Sequence, residues 1–192
     1  MNLKTITLGA LFAAAAFSAA LAEPKSYAID PTHMEVTYSI DHAGFSTSKG
    51  RFADVASTLV LDEANPAASK VSATIKVASL DSGFGKRDEH LLSPDFFDAA
   101  KYPTITFTST KVTVVGAKTA KVAGDLTIHG VTKPVVLDAV IVGLGPHPLT
   151  KGQAAGIHAT THIKRSDFGM KTYIPLVGDD VTITLDAEYA AQ

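Results

Sequence analysis

The sequence contains no cysteine. That excludes disulfides, zinc–thiolate centres and thiol nucleophiles, and it leaves packing alone to stabilise the fold. It also excludes a lipid-modified cysteine behind a leader. Neither sign of charge is in real excess, with 17 basic and 19 acidic residues and a formal net charge of −2. So even a balance argues against nucleic acid as the partner. No run of Lys or Arg is present to grip an anionic lipid surface. Only one stretch is both long and apolar, Leu8 to Ala22. It falls short of the ~20 residues a membrane-spanning helix needs. It follows Lys4, ends in Ala20-Leu21-Ala22 and is succeeded by Glu23, Pro24 and Lys25. This is the pattern of a secretory leader cleaved after Ala22. The expectation is a cleaved leader over 1–22 and one exported domain over 23–192, with no integral membrane span after processing. Loss of Lys4 leaves 16 basic residues against the 19 acidic ones.

What the chain does have is period-two patterning. Val36, Tyr38 and Ile40 alternate with Thr37, Ser39 and Asp41. Val55, Leu59 and Leu61 share one parity of a strand starting near Gly50. Val71, Ala73, Ile75 and Val77 alternate with Ser72, Thr74 and Lys76, and Ile105 and Phe107 with Thr104, Thr106 and Thr108. The stretches 122–128, 135–142, 157–163 and 181–189 continue the series. About eight strands are expected. Asn65-Pro66, 116–118, His129-Gly130, Gly145-Pro146-His147-Pro148 and Val177-Gly178-Asp179 carry turn chemistry. No helical stretch alternates with the strands, which argues against a parallel α/β sheet. The pattern leaves a barrel and a sandwich equally open. No tandem repeat or linker divides the chain.

One segment departs from this pattern, Lys86 to Pro103. Lys86 to Leu92 predicts about two helical turns. Ser93-Pro94 predicts an N-cap with proline at the first position of a second short turn carrying Phe96 and Phe97. Pro103 precedes the next strand.

Catalytic motifs are scarce. Gly44 to Ser48 fails G-x-S-x-G at its last position. Ser46 to Lys49 matches S-x-x-K, but S-D-N and K-T-G are absent, and the segment reads as strand and turn. There is no H-E-x-x-H, no G-x-G-x-x-G and no P-loop. Among the seven histidines, His158 and His162 lie four apart. On a strand they share a face but stand ~13 Å apart, too far to share one ion. An assembly of distant residues such as His33, His42 and His129 stays open, but no metal and no cofactor is expected.

Five motifs occur in order: Tyr27–His33 (YAIDPTH), Ser39–Phe52 (SIDHAGFSTSKGRF), Arg87–Phe107 (RDEHLLSPDFFDAAKYPTITF), Gly124–Leu137 (GDLTIHGVTKPVVL) and Arg165–Met170 (RSDFGM). Together they resemble the YceI-like polyisoprenoid-binding family across nearly all of 23–192. The resemblance implies an all-β, extended, lipocalin-like eight-stranded antiparallel barrel with a short helical insertion near residues 86–98. It implies an elongated pore for an isoprenoid chain, a quinone tail or a similar amphiphile. It further implies residence in the periplasm, homodimers in some members, and links to stress and to lipid or quinone handling. Two departures touch the pore's neighbourhood. Met34 stands where the family often has a small polar residue, and Gly83-Phe84-Gly85-Lys86 stands where a polar stretch is usual.

Given the resemblance, the apolar residues around the helical insertion become candidates for a pore mouth: Phe45, Phe52, Leu80, Phe84, Leu91, Leu92, Phe96, Phe97, Phe107, Phe168 and Met170. Arg87, Asp88, His90, Arg165 and Asp167 become candidates for a head group, with Arg suited to an anionic oxygen. A plainer role for Arg87 and Asp88 is an ion pair stapling the helix to the rim. Three functions are in competition: a carrier of an isoprenoid amphiphile, an enzyme acting on such a lipid through His90, Asp88 or Asp167, and an interaction protein with a solid interior. The carrier is expected.

Overall fold

The computed structural model describes residues 23–192; the leader expected over 1–22 lies outside them. In chain order the elements are β1 (Lys25–His42), β2 (Ser46–Phe52), β3 (Val55–Leu61), β4 (Lys70–Lys76), β5 (Leu80–Asp81), α1 (Gly85–Leu92), β6 (Thr104–Gly116), β7 (Thr119–Ile128), β8 (Val131–Pro146), β9 (Gln153–Lys164) and β10 (Val177–Ala191). Short 3-10 turns occupy Pro66–Ala68, Val77–Ser79 and Arg165–Phe168. No helix among the described residues is long and apolar enough to cross a membrane.

All pairings are antiparallel. The order is β10-β9-β8-β7-β6-β4-β3-β1, and β1 pairs back with β10 to close the wall. β2 pairs with the second half of β1, and β5 pairs with β2. Ten strand segments therefore make eight staves. β2 and β3 form one stave broken at Ala53-Asp54, while β4 and β5 form another broken at Val77–Ser79. The two breaks hold each other: Ala53 N donates to Ser79 O (3.2 Å) and Lys76 N donates to Asp54 O (2.9 Å). Val77 thus belongs to a turn rather than to the strand its parity suggested.

The hairpins show why turns fall where they do. His129 and Gly130 both take positive φ (51° and 73°) between the paired Ile128 and Val131. That conformation matches the twist of a two-residue hairpin. The expected turn at Val177-Gly178-Asp179 is instead the start of β10. Gly145 and Pro146 end β8, and the chain reverses at His147, whose N donates to Gly152 O (2.7 Å). Ser93 closes α1, donating its N–H to His90 O, and its Oγ accepts from Asp95 N (3.3 Å) to open the expected short turn, which is not helical. Residues 94–97 form a turn fixed by Phe96 N to Ser93 O (3.1 Å) and Phe97 N to Leu91 O (3.0 Å).

The period-two reading holds around the barrel. Val36, Ile105, Phe107, Val122, Leu126, Ile128 and Ile163 are buried and join one core cluster. Tyr27, Leu59, Leu61, Ala155, Ala187 and Tyr189 form a second cluster at the end away from α1. Small inward residues recur opposite large ones. Gly124 is the clearest: a side chain there would collide with the Phe107 ring and the Thr108 carbonyl.

Arg165 is the buried charge of the wall, only 5 % exposed. Its Nε donates to Gly178 O (2.7 Å), Nη2 to Val177 O (3.0 Å) and Nη1 to Met170 O (3.1 Å). The guanidinium thereby ties the long β9–β10 connection onto the first residues of β10. Burial pushes its pKa down, but three carbonyl acceptors hold the charge in place. Arg165→Ala leaves those carbonyls without a donor and is expected to destabilise the protein by about 2–4 kcal/mol. Arg165→Lys should rescue only part of this, because an ammonium cannot reproduce the fork. Urea unfolding of the three proteins measures the difference; an unchanged midpoint for Arg165→Ala would refute the assignment.

Candidate functional site, an apolar tunnel

The closed wall encloses space. A chamber of about 320 Å³ lies under α1. Val36, Tyr38, Ile40, Phe52, Ile105, Leu126, Ile128, Ile163, Met170 and Val181 line it, with Leu91, Phe96 and Phe97 from the helical insertion. A second chamber of about 190 Å³ continues toward the other end, bounded by Leu59, Leu61, Val71, Ala73, Phe107, Leu137, Ala139, Ala159, Leu185 and Tyr189. Val36, Ile75, Leu126 and Ile183 line both and form the waist between them. The room comes from the small inward residues Ala73, Ala120, Ala139, Ala159 and Thr161. An eight-stranded barrel of larger residues would be filled by its own side chains.

Polar side chains are a minority of the lining and gather mainly toward the ends. At the α1 end stand His42, Ser48, Arg87, His90 and Tyr173. At the far end Ser57 Oγ and Tyr189 Oη share a hydrogen bond (2.8 Å). Burial pushes the Tyr38 phenol pKa up in the first chamber. An aromatic collar surrounds the α1 mouth. Phe52 meets Phe97 edge-on at 5.7 Å, His90 meets Phe96 at 5.1 Å, and Tyr173 packs on both His90 and Phe96. Such pairs fix ring orientation as well as burying area.

The Arg87–Asp88 ion pair does not form. Both residues instead bind Ser82. Arg87 Nε donates to Ser82 Oγ (2.8 Å) and Nη2 to Ser82 O (2.6 Å), while Asp88 Oδ1 accepts from Ser82 N (2.9 Å) and from its hydroxyl. α1 is stapled, but to the end of β5 through one serine. Arg87 still lines the mouth, with Nη1 uncommitted among the described residues. His90 Nε2 lies 3.1 Å from Asp95 Oδ2.

Of the candidate residues, the fold brings Phe52, Arg87, His90, Leu91, Phe96, Phe97, Arg165 and Met170 to the first chamber and Phe107 to the second. It does not bring the others to either. Leu80 and Phe168 are buried in the same core cluster as the wall of the first chamber but do not line it. Asp167 is exposed on the 3-10 turn. Phe45 is 94 % and Phe84 57 % exposed, both on tips facing water. Ile75, Ile183, Leu126 and Tyr173 were not singled out in the sequence. Their parity marked the first three as inward, but nothing in the sequence distinguishes a wall residue beside a void from one in solid core.

His33, His42 and His129 do not converge. His42 lines the mouth, and His129 Nδ1 sits 3.2 Å from Phe168 O. His158 and His162 face outward toward separate partners, Asp186 Oδ1 (2.7 Å) and Thr182 Oγ1 (3.0 Å). Among the described residues, Asp30, His33 and Glu188 form the one grouping with metal-ligand spacing. It is exposed and internally satisfied: Asp30 Oδ1 accepts from Thr32 N (2.8 Å) and Oγ1 (2.6 Å), and Oδ2 meets His33 Nδ1 (3.0 Å). The hydrogen bond to Asp30, then its charge and that of Glu188, raise the His33 pKa. The same hydrogen bond, with those from Thr32, holds Asp30 far below the ordinary carboxylate range. The histidine's part of this stabilisation is full below about pH 6.5 and fades as pH rises through its raised folded pKa. The carboxylate's part is present above about pH 3.8 and is lost as pH falls through its own lowered value. In an NMR titration His33 should deprotonate above pH 6.5 and move back toward it in Asp30→Asn; equal midpoints in the two proteins would refute the coupling.

Relatives share this architecture. YceI of Escherichia coli O157:H7 is 42 % identical over 192 residues, covering 99 % of this chain and all of its own. The crystal structure of BcnA from Burkholderia cenocepacia superposes with a TM-score of 0.76 at 26 % identity, covering 83 % of this chain and 98 % of that one. A polyisoprenoid-binding domain from Saccharophagus degradans, implicated in plant cell wall breakdown, is similar in fold alone (TM-score 0.66, 16 % identity, covering 88 % of this chain and 99 % of that one). The YceI-like domain matches residues 27–189, which is nearly everything the barrel contains. With that span and a full-length relative at 42 % identity, the chain belongs to the YceI-like family.

Proposed function

We propose that this protein is a periplasmic carrier that holds a long-chain isoprenoid amphiphile, its tail in the two chambers and its head group at Arg87 and His90. The observation that carries the reading is a largely apolar tunnel left unfilled inside a closed wall, with a group of polar side chains at its α1 mouth. Its family membership and the polyisoprenoid-binding barrel of like fold support the same reading. The leader expected over 1–22 supports export. Closure matters, because a β wall without edges shields the chain from water along its length.

The energetics favour a tail over a head. Each buried methylene gains ~0.8 kcal/mol. Freezing the tail's torsions and losing its free motion offset part of that. A polar contact at the mouth contributes less than two or three carbons do. Arg87 and His90 would then orient the amphiphile and set its direction of entry.

Native mass spectrometry of protein taken from its own compartment is expected to reveal a co-purifying lipid. Within the length of the tunnel, each isoprene unit removed from an added ligand should weaken binding about tenfold or more. Ala159→Leu fills part of the second chamber, and is tolerated because it enters a void. It should lower affinity for long tails toward that for short ones and leave short tails unaffected. Equal affinity for all tail lengths in the unmodified protein would sink the carrier reading.

A further inference from the structure

Several large apolar side chains stand exposed beside the tunnel mouth. Phe45 is 94 % exposed, Leu176 61 %, Phe84 57 % and Tyr173 55 %. They sit on three separate segments: the β1–β2 turn, the chain entering α1, and the connection before β10. Ala43 N donates to Leu176 O (2.8 Å), so two of these segments touch. Each tip adjoins a residue that lines the first chamber: His42 for Phe45, Arg87 for Phe84, and Val177 for Leu176, while Tyr173 itself lines it. The exposed apolar tips therefore border the tunnel mouth.

Water is a poor neighbour for these groups. Residues at exposed turn tips gain nothing for folding by being large and apolar, and such patches mark contact surfaces. The backbone at two tips is set to hold them outward. Ala43 and Gly44 take positive φ (58° and 71°), and Gly44 N donates to Asp41 Oδ2 (3.0 Å), which presents Phe45 beyond the turn. Tyr173 also has positive φ (63°). Lys86 and Lys171 lie two residues from Phe84 and Tyr173, are exposed, and form no ion pair among the described residues. Of the nearby carboxylates, Asp41 caps Gly44, Asp88 holds Ser82 and Asp95 meets His90. Glu89 and Asp167 remain exposed. Apolar tips flanked by free lysines suit the boundary between acyl chains and anionic head groups.

We infer that the α1 end of the barrel docks on a lipid bilayer, with Phe45, Phe84, Tyr173 and Leu176 entering the interface so that a lipid tail passes from membrane to tunnel without crossing water. This rests on the carrier reading. A second exposed apolar patch lies at the opposite end, with Val115 (64 %) and Val142 (65 %) on it. Val142 adjoins Ile141 of the second chamber, but no helix or aromatic collar frames that end among the described residues, and it provides the control.

The experiment uses the full purified protein, mixed phosphatidylethanolamine–phosphatidylglycerol vesicles and a fluorescent polyprenyl lipid. Co-flotation reports docking, fluorescence transfer reports the extraction rate, and the same lipid in detergent micelles reports affinity without a bilayer. Phe45→Asp with Leu176→Asp is expected to reduce both flotation and extraction rate about tenfold or more. Affinity in detergent should stay unchanged, which also shows that the variant is folded. Val115→Asp with Val142→Asp is expected to behave as the unmodified protein does. The inference is overturned if the unmodified protein binds lipid in detergent but does not float, if the rim variant floats normally, or if only the control variant fails. Absence of lipid binding even in detergent would instead bring down the carrier reading, and the docking inference with it.

Discussion

Everything in this fold depends on the ladder between β1 and β10. It runs from Tyr27 opposite Ala191 to His42 opposite Val177. Without it the sheet would have two long open edges, each a row of unpaired backbone donors and acceptors. With it the wall closes, and what the inward side chains leave unfilled becomes an enclosed space rather than a groove. The ladder is interrupted twice, between Ile40 and His42 and, more widely, where residues 30–33 loop out between the pairs Ile29–Tyr189 and Met34–Ala187. The Asp30–Thr32–His33 hydrogen bonds stabilise that irregularity locally, so closure survives it.

The tunnel follows from closure plus residue size. Large inward residues such as Phe107 meet Gly124, and Ala73, Ala139 and Ala159 face aliphatic neighbours rather than filling the axis. A protein interior normally packs without voids. Room retained here is therefore a cost to stability that a bound chain would offset. The same economy explains the concentration of fixed hydrogen bonds at the α1 end. Ser82 holds Arg87 and Asp88, and Arg165 holds the β9–β10 connection. The elements that frame the mouth are thereby fastened without plugging it.

The sequence patterns were legible wherever the rule was local. Alternation put Val36, Tyr38, Ile75, Ile105 and Phe107 on one face of their strands, because side chains on a strand must alternate. His129-Gly130 was readable as a hairpin because both positions adopt positive φ. The reading failed where neighbours outside the window decided. Val177-Gly178-Asp179 has turn composition, yet pairing of Val177 with His42 and of the next residue, Asp180, with Lys164 draws it into β10. Phe45 and Phe84 have core composition, yet the turns that carry them face water.

By itself the sequence determined the strand periodicity, the all-β class, the freedom from any thiol chemistry and, through its five motifs, the family. Each of these is written in residue identity and near-neighbour spacing. Only the tertiary structure decided which inward residues border empty space, that Arg87 and Asp88 share Ser82 rather than each other, and that four exposed apolar side chains from three segments stand beside one mouth. Those outcomes depend on residues far apart in the chain being brought to one level of the barrel. The shear of the closed sheet and the placement of its connections set that level, and no local pattern encodes it.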